Sequence, residues 1–174
     1  MNKIIQAAHF AANKHRDQRR KDQVQSPYIN HPLALAHVLA NEAGIDDENA
    51  IIAALLHDTI EDTATTGEEI SALFGPVILG IVLEVTDDTS LPKQQRKQLQ
   101  IDHAPHLSTA ARLVKLADKI CNLRDMANSP PADWPLVRRI EYFDWAKAVI
   151  DGLRGSHAGL EGLFDEAYGK KPVG

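Results

Sequence analysis

Residues 50–62 read Ala50-Ile51-Ile52-Ala53-Ala54-Leu55-Leu56-His57-Asp58-Thr59-Ile60-Glu61-Asp62, an unbroken apolar run that ends on an imidazole and three carboxylates. The run from Ala50 to Leu56 falls far short of the roughly 20 apolar residues a membrane span needs, so this stretch belongs to a water-soluble core. Asp46 or Asp47 can cap a helix ahead of it. If the helix continues, Asp58 shares a face with Glu61 and Asp62, and His57 shares one with Glu61, which places acidic residues on a buried helix. Carboxylates crowded there raise one another's pKa through desolvation and like-charge repulsion unless a cation compensates. The stretch calls for a metal ion.

On either side, turn markers cut the chain into helix-length pieces, and none shows sustained two-residue alternation. The expected class is all-α, a single compact multi-helix fold. Ile4 to Ala12 carry a helical apolar stripe, and residues 14–30 form a charged loop. Pro32 lies near a helix start, and Gly44 closes that helix. Thr66 and Glu69 have capping-box spacing ahead of a helix ending near Phe74 and Gly75. Pro76 restarts a helix through Val85, Pro92 opens a polar one, and Ser108 caps the apolar segment that runs past Leu123. Pro130, Pro131 and Pro135 lead into a helix over 137–150, and Gly152 and Gly155 precede a last one ending near Tyr168. At 174 residues the expectation is one domain spanning 1–174, with its core at about 3–168 and a frayed tail at 169–174.

Composition narrows the function. With 44% hydrophobic and 25% charged residues, wholesale disorder is excluded. Cys121 is the sole cysteine, so no internal disulfide forms, and the amino terminus lacks a signal-peptide pattern; the expected compartment is the cytoplasm. A net charge of −5 argues against nucleic-acid coating, so any phosphate must meet a local basic patch. Lys14, Arg16, Arg19, Arg20 and Lys21 form such a patch just ahead of His31, whereas Lys93, Arg96 and Lys97 read as an ordinary charged helix end.

His31 and Asp118 supply the donors that His57 and Asp58 lack. Asp118 interrupts the most apolar helix, where an unpaired carboxylate is costly to bury. Taken alone, His31 reads as a helix cap and Asp118 as the partner of Lys115 or Lys119; their joint occurrence with the His57-Asp58 pair favours a site. Two imidazoles and two carboxylates suit manganese, iron or zinc better than calcium, with positions left open to water. Glu61 and Asp62 are placed to take a proton and orient that water. Asn122 and Asp125 follow Asp118 on the same face as candidate substrate contacts. Tyr142 and Trp145 pack the core or edge a nucleotide pocket. His103 and His106 read as a solvated turn, His9, His15, His37 and His157 as structural, and Cys121 as an inert core thiol.

Taken in order, Lys14-His15-Arg16-Asp17-Gln18-Arg19-Arg20-Lys21, Tyr28-Ile29-Asn30-His31-Pro32, Ala54 to Asp62 and Val114-Lys115-Leu116-Ala117-Asp118-Lys119 closely resemble the HD-type hydrolase domain of the RelA/SpoT family, nearest to its small alarmone hydrolases. The resemblance implies a helical HD fold and manganese held by His31, His57, Asp58 and Asp118. It also implies hydrolysis of the 3′-diphosphate of guanosine tetra- or pentaphosphate to pyrophosphate and GDP or GTP, with Glu61 and Asp62 handling water. Arg20 matches the position that packs against guanine, and Lys21, Asn122 and Tyr142 match positions near the nucleotide. The segment between Lys21 and Tyr28 is slightly longer than in some members, and no synthetase region is expected. Two alternatives are a phosphohydrolase acting on another ribose 2′- or 3′-phosphorylated nucleotide such as NADPH, and a non-catalytic nucleotide-binding module; intact Glu61 and Asp62 speak against the latter. Neither nucleic acid nor membrane is an expected partner. Physiological metal and oligomeric state stay open.

Overall fold

The computed structural model describes residues 2–174, and its elements are helices: α1 (Asn2–Lys14), α2 (Asn30–His37), α3 (Glu48–Leu56), α4 (Thr59–Asp62), α5 (Gly67–Phe74), α6 (Pro76–Val85), α7 (Lys93–His103), α8 (Thr109–Asn128), α9 (Leu136–Asp151) and α10 (Ala158–Tyr168). Among the described residues no strand forms; an isolated antiparallel bridge between Arg19 and Pro27 cinches the loop after α1. The all-α expectation holds.

Two helices make the centre. Asp47 caps α3 by accepting from the Asn49 and Ala50 N–H groups at 3.0 and 3.3 Å, and every residue from Ala50 to Leu56 is buried. Ser108 caps α8, which is the longest helix described and buries Leu116, Ile120 and Leu123 completely. Each such side chain contributes about 1.5–3 kcal/mol by leaving water. α3 and α8 pack on each other, with α1, α2 and α6 against α3 and with α9 and α10 against α8. That arrangement brings His57 and Asp58, at the end of α3, against Asp118 in the middle of α8.

The predicted turn chemistry recurs with one change of partner. Thr66 accepts from the Glu69 N–H at 3.2 Å, but the Glu69 carboxylate pairs with Lys14 Nζ at 2.8 Å instead of completing a capping box, and so ties α5 to α1. Gly75 joins α5 to α6 at φ +98°, a conformation that strains any other residue, and Pro76 then starts α6 without needing a donor. His103 and His106 bracket a solvent-facing 3₁₀ turn (Ala104–His106), as expected.

Two departures bear on the site. The chain after α2 widens into a π turn over Val38–Glu42, where the Ala43 N–H reaches the Val38 carbonyl at 2.9 Å. More important, α3 does not run through to Asp62. It stops at Leu56, the Thr59 hydroxyl donates to the Leu56 carbonyl at 2.7 Å, and Asp58 takes φ −99°, ψ 0° ahead of the short α4. The expectation of acidic residues on one buried helix is therefore corrected: His57 and Asp58 sit at a bend, Glu61 is half-buried, and Asp62 is exposed.

Candidate metal centre and substrate cavity

Four donor atoms meet at that bend. His31, brought in by the first turn of α2, places Nε2 3.2 Å from Asp118 Oδ1 and 3.9 Å from Asp58 Oδ2. His57 places Nε2 2.8 Å from Asp58 Oδ2 and 3.9 Å from Asp118 Oδ1. His31, His57 and Asp118 have donor atoms within 4.8 Å of one another, and Asp58 adjoins them from the His57 side.

The chemistry of this ring asks for a cation. His57 Nδ1 donates to the Ala54 carbonyl at 2.8 Å, so in the neutral ring Nε2 carries the lone pair. That nitrogen is buried, lacks a well-aligned hydrogen bond, and faces two carboxylate oxygens. Burial alone would lower the His57 pKa, but Asp58 and Asp118 outweigh it and push it up to about 9. For Asp58, burial would raise the pKa, but His57 and His31 hold it below the usual carboxylate range. Burial likewise works against ionised Asp118, but Lys119 and the two histidines hold it far below that range. Burial lowers His31, only partly offset by Asp118. A proton on His57 and a divalent ion compete for one nitrogen, so the residues fit a metal whose uptake releases protons.

Neighbouring groups aim these ligands. The Tyr28 hydroxyl donates to Asp58 Oδ2, Asn122 Nδ2 donates to Asp118 Oδ1 at 2.7 Å, and Lys119 Nζ donates to Asp118 Oδ2 at 3.0 Å. Of the two lysines weighed against Asp118, it is Lys119 that pairs with it, while its ammonium also stands 4.3 Å from the Trp145 ring. Such second partners fix ligand orientation and raise basicity.

Glu61 and Asp62 line different cavities, Glu61 the one that holds the ring and Asp62 the larger one beside His31. Glu61 accepts from the Asp87 N–H at 3.1 Å and has Arg96 Nη1 at 4.0 Å. Burial, with the charges of Asp87, Asp58 and Asp62, pushes its pKa up to about 7. Asp62 Oδ2 accepts from Gln18 Nε2 at 2.9 Å and faces the larger cavity.

That cavity, about 600 Å³, opens beside His31 and is lined by Arg20, Lys21, Asn122 and Tyr142, the four positions expected near a nucleotide, together with Asp125 and Trp134. Arg20 is fixed between α8 and the loop: Nη2 lies 2.7 Å from Asp125 Oδ2, and its guanidinium lies 5.5 Å from the Tyr28 ring centre. Tyr142 packs edge-on to Trp134 and Trp145 at 5.8 and 5.3 Å, so it serves the core and the cavity wall at once.

The polar helix α7 is not the ordinary charged end that its sequence suggested. Lys93 stands 5.8 Å from the Trp134 ring, Lys97 lies 4.9 Å from Trp145, and Arg96 faces Glu61. Sequence periodicity could not assign them, because their partners come from the Pro-rich linker, α9 and α4. Tyr28 and Trp134 were also without roles; a phenol three residues ahead of His31 was the available signal for the first. Cys121 is buried, and its thiol is pushed up to about 12, as an inert core residue should be. His15 bonds Gln18 at 2.6 Å, and His157 caps α10.

The comparisons match this geometry. A family model described as an HD domain aligns with residues 7–141. The chain is 55% identical over 165 residues to guanosine-3′,5′-bis(diphosphate) 3′-pyrophosphohydrolase MESH1 of Xenopus tropicalis, covering 95% of this chain and 92% of that one. It is 53% identical to the Homo sapiens protein of the same name, over 91% of this chain and 88% of that one. A solved structure described as a metazoan ortholog of SpoT that hydrolyzes ppGpp superposes with a TM-score of 0.94 at 49% identity, covering 98% and 96% of the two chains. With a matching family model across most of its length and relatives this similar, the chain belongs to the HD-domain family and, within it, to the MESH1 group.

Proposed function

We propose that this chain is a manganese-dependent hydrolase that removes the 3′-diphosphate of guanosine tetra- or pentaphosphate as pyrophosphate, leaving GDP or GTP. The observation that carries the reading is the four-donor ring of His31, His57, Asp58 and Asp118 opening onto a cavity walled by Arg20, Lys21 and Tyr142. The names of the relatives point to the same substrate.

His31, His57, Asp58 and Asp118 would hold a divalent ion, which when bound would acidify water and offset charge on phosphoryl oxygens. Glu61, poised near neutrality at about 7, takes the proton that water loses as it adds to the phosphorus on the ribose 3′ oxygen. Asp62, held by Gln18, orients that water from the cavity side. The bond between phosphorus and the 3′ oxygen then breaks, and the 3′ oxygen takes up a proton. Arg20 presents its guanidinium plane to the guanine, and Lys21 meets phosphate charge. Asn122 keeps Asp118 aimed at the ring.

Residues 1–174 act in this reading as one domain. Among the described residues no helix is long and apolar enough to cross a membrane, and the cytoplasmic assignment rests on the unpaired, buried Cys121. The test is a product assay with purified, manganese-loaded protein on guanosine tetraphosphate, guanosine pentaphosphate and NADPH. Pyrophosphate with GDP or GTP is expected; orthophosphate released from NADPH with no pyrophosphate from the guanosine substrates overturns the reading.

A further inference from the structure

Lys115 has no role in the site described so far. It lies one turn ahead of Asp118 on α8 and is only 7% exposed. Among the described residues it makes no ion pair, and its one hydrogen bond, to the Val85 carbonyl at 3.4 Å, is longer than an ordinary N–H···O contact. An ammonium carries three donors, and burying one with two of them unused is costly.

Its position says what could use them. Lys115 lines a small inner cavity of about 140 Å³ together with His31, His57, Asp58, Asp118 and Glu61. It also lines an adjoining cavity of about 390 Å³ with Arg96 and Gln100. Arg96 Nε, another donor on that wall, is buried without a partner. The other charged groups lining the inner cavity are Arg20, which is already paired with Asp125, and acids: Asp87, whose carboxylate accepts from Gln100 Nε2 at 2.7 Å, with Asp58 and Asp118. An anion entering the inner cavity meets Glu61 and Asp87, and with Arg20 paired to Asp125, Lys115 is the lining cation that has no ion-pair partner among the described residues.

We infer that Lys115 is a substrate-binding residue that receives the outer phosphate of the 3′-diphosphate in the inner cavity, which adjoins the nucleoside cavity at Arg20, Tyr28, His31 and Asn122. This rests on the function proposed above, and it assigns the two cavities separate tasks: the 600 Å³ one takes the nucleoside and its 5′ phosphates, and the inner one takes the group that departs as pyrophosphate. The competing structural role is a cap on the last turn of α6, where a lysine suits the carbonyl end of the helix dipole. That role employs one donor and leaves two.

The experiment is calorimetric titration of the manganese-loaded protein with inorganic pyrophosphate and, separately, orthophosphate, for the native chain, Lys115→Met and Lys115→Gln. Gln keeps a donor for the Val85 carbonyl but carries no charge. Both variants should keep the native far-UV spectrum and metal content, bind pyrophosphate about 10- to 100-fold more weakly, and bind orthophosphate nearly as before, since a charge-assisted hydrogen bond is what they lose. A folded, metal-replete Lys115→Gln protein that binds pyrophosphate within twofold of the native chain overturns the inference and leaves Lys115 a helix cap. Turnover of guanosine tetraphosphate by the native chain is scored alongside. Turnover with Lys115-independent pyrophosphate binding sinks this inference alone, whereas absent turnover with Lys115-dependent binding sinks the proposed substrate and keeps the diphosphate seat.

Discussion

Replacing Tyr28 with Phe removes a single oxygen from the ring's surroundings. The Tyr28 hydroxyl donates to Asp58 Oδ2, the same oxygen that stands 2.8 Å from His57 Nε2 and 3.9 Å from His31 Nε2. The phenol ring stays packed, with the His15 ring at 4.8 Å, the His31 ring at 5.9 Å and the Arg20 guanidinium 5.5 Å away, so Phe fills the site. What is lost is one hydrogen bond to an ionised, buried acceptor, worth about 1.5–3 kcal/mol. If that bond serves to aim Asp58 at the ion, its loss appears as a roughly 10- to 100-fold weaker affinity for the metal, the range typical of residues that orient metal ligands. The assay is competition for manganese between the protein and a calibrated chelating dye at pH 7, with far-UV circular dichroism to verify the fold. A folded Tyr28→Phe protein that holds the ion as tightly as the native chain would refute the claim that Asp58 is a ligand oriented by Tyr28.

Glu61→Gln should lower kcat by about 10²- to 10⁴-fold, the usual worth of a general base, with metal content unchanged; full turnover in a metal-replete variant removes Glu61 from the mechanism. Arg20→Ala should raise KM for guanosine tetraphosphate about tenfold or more through lost base stacking, with metal occupancy intact; the reverse pattern counts against the stacking role. Glu42→Gln breaks the paired contacts from Arg124 at 2.8 and 2.9 Å, which hold the Glu42 carboxyl below its usual range. A depressed folded-state pKa stabilises above the unfolded value of about 4.3 and loses that effect as pH falls through the folded one. Denaturant unfolding should therefore show the variant about 1 kcal/mol less stable at pH 7, in line with a partly exposed pair, and equal to the native chain in acid below both values. A difference that persists there refutes the pairing.

The parts of this molecule that were legible in its sequence are those governed by local rules. Asp47, Thr66, Ser108 and Pro76 announce helix starts by caps and fixed φ, and the structure puts helices at each. His31, His57, Asp58 and Asp118 were legible as a set because their joint occurrence is hard to explain by the separate caps and ion pairs that would account for each alone, and the fold brings all four together. The bend at His57 was not legible, since Thr59 ends α3 by bonding back to Leu56, and helix periodicity counts straight through such a turn. The roles of Lys93, Arg96 and Lys97 were hidden for a different reason: their partners Trp134, Glu61 and Trp145 are remote in sequence, so a local reading sees only a charged helix. Spacing left Lys115 and Lys119 open as partners for Asp118; the ion pair goes to Lys119, whose ammonium is packed against Trp145.

The most direct measurement is an anomalous-difference map, collected at the manganese edge, from crystals grown with that ion. The account predicts one strong peak per chain, within coordination distance of His31 Nε2, His57 Nε2, Asp58 Oδ2 and Asp118 Oδ1. A peak that leaves Asp58 or Asp118 out of reach, or none at this bend, contradicts it.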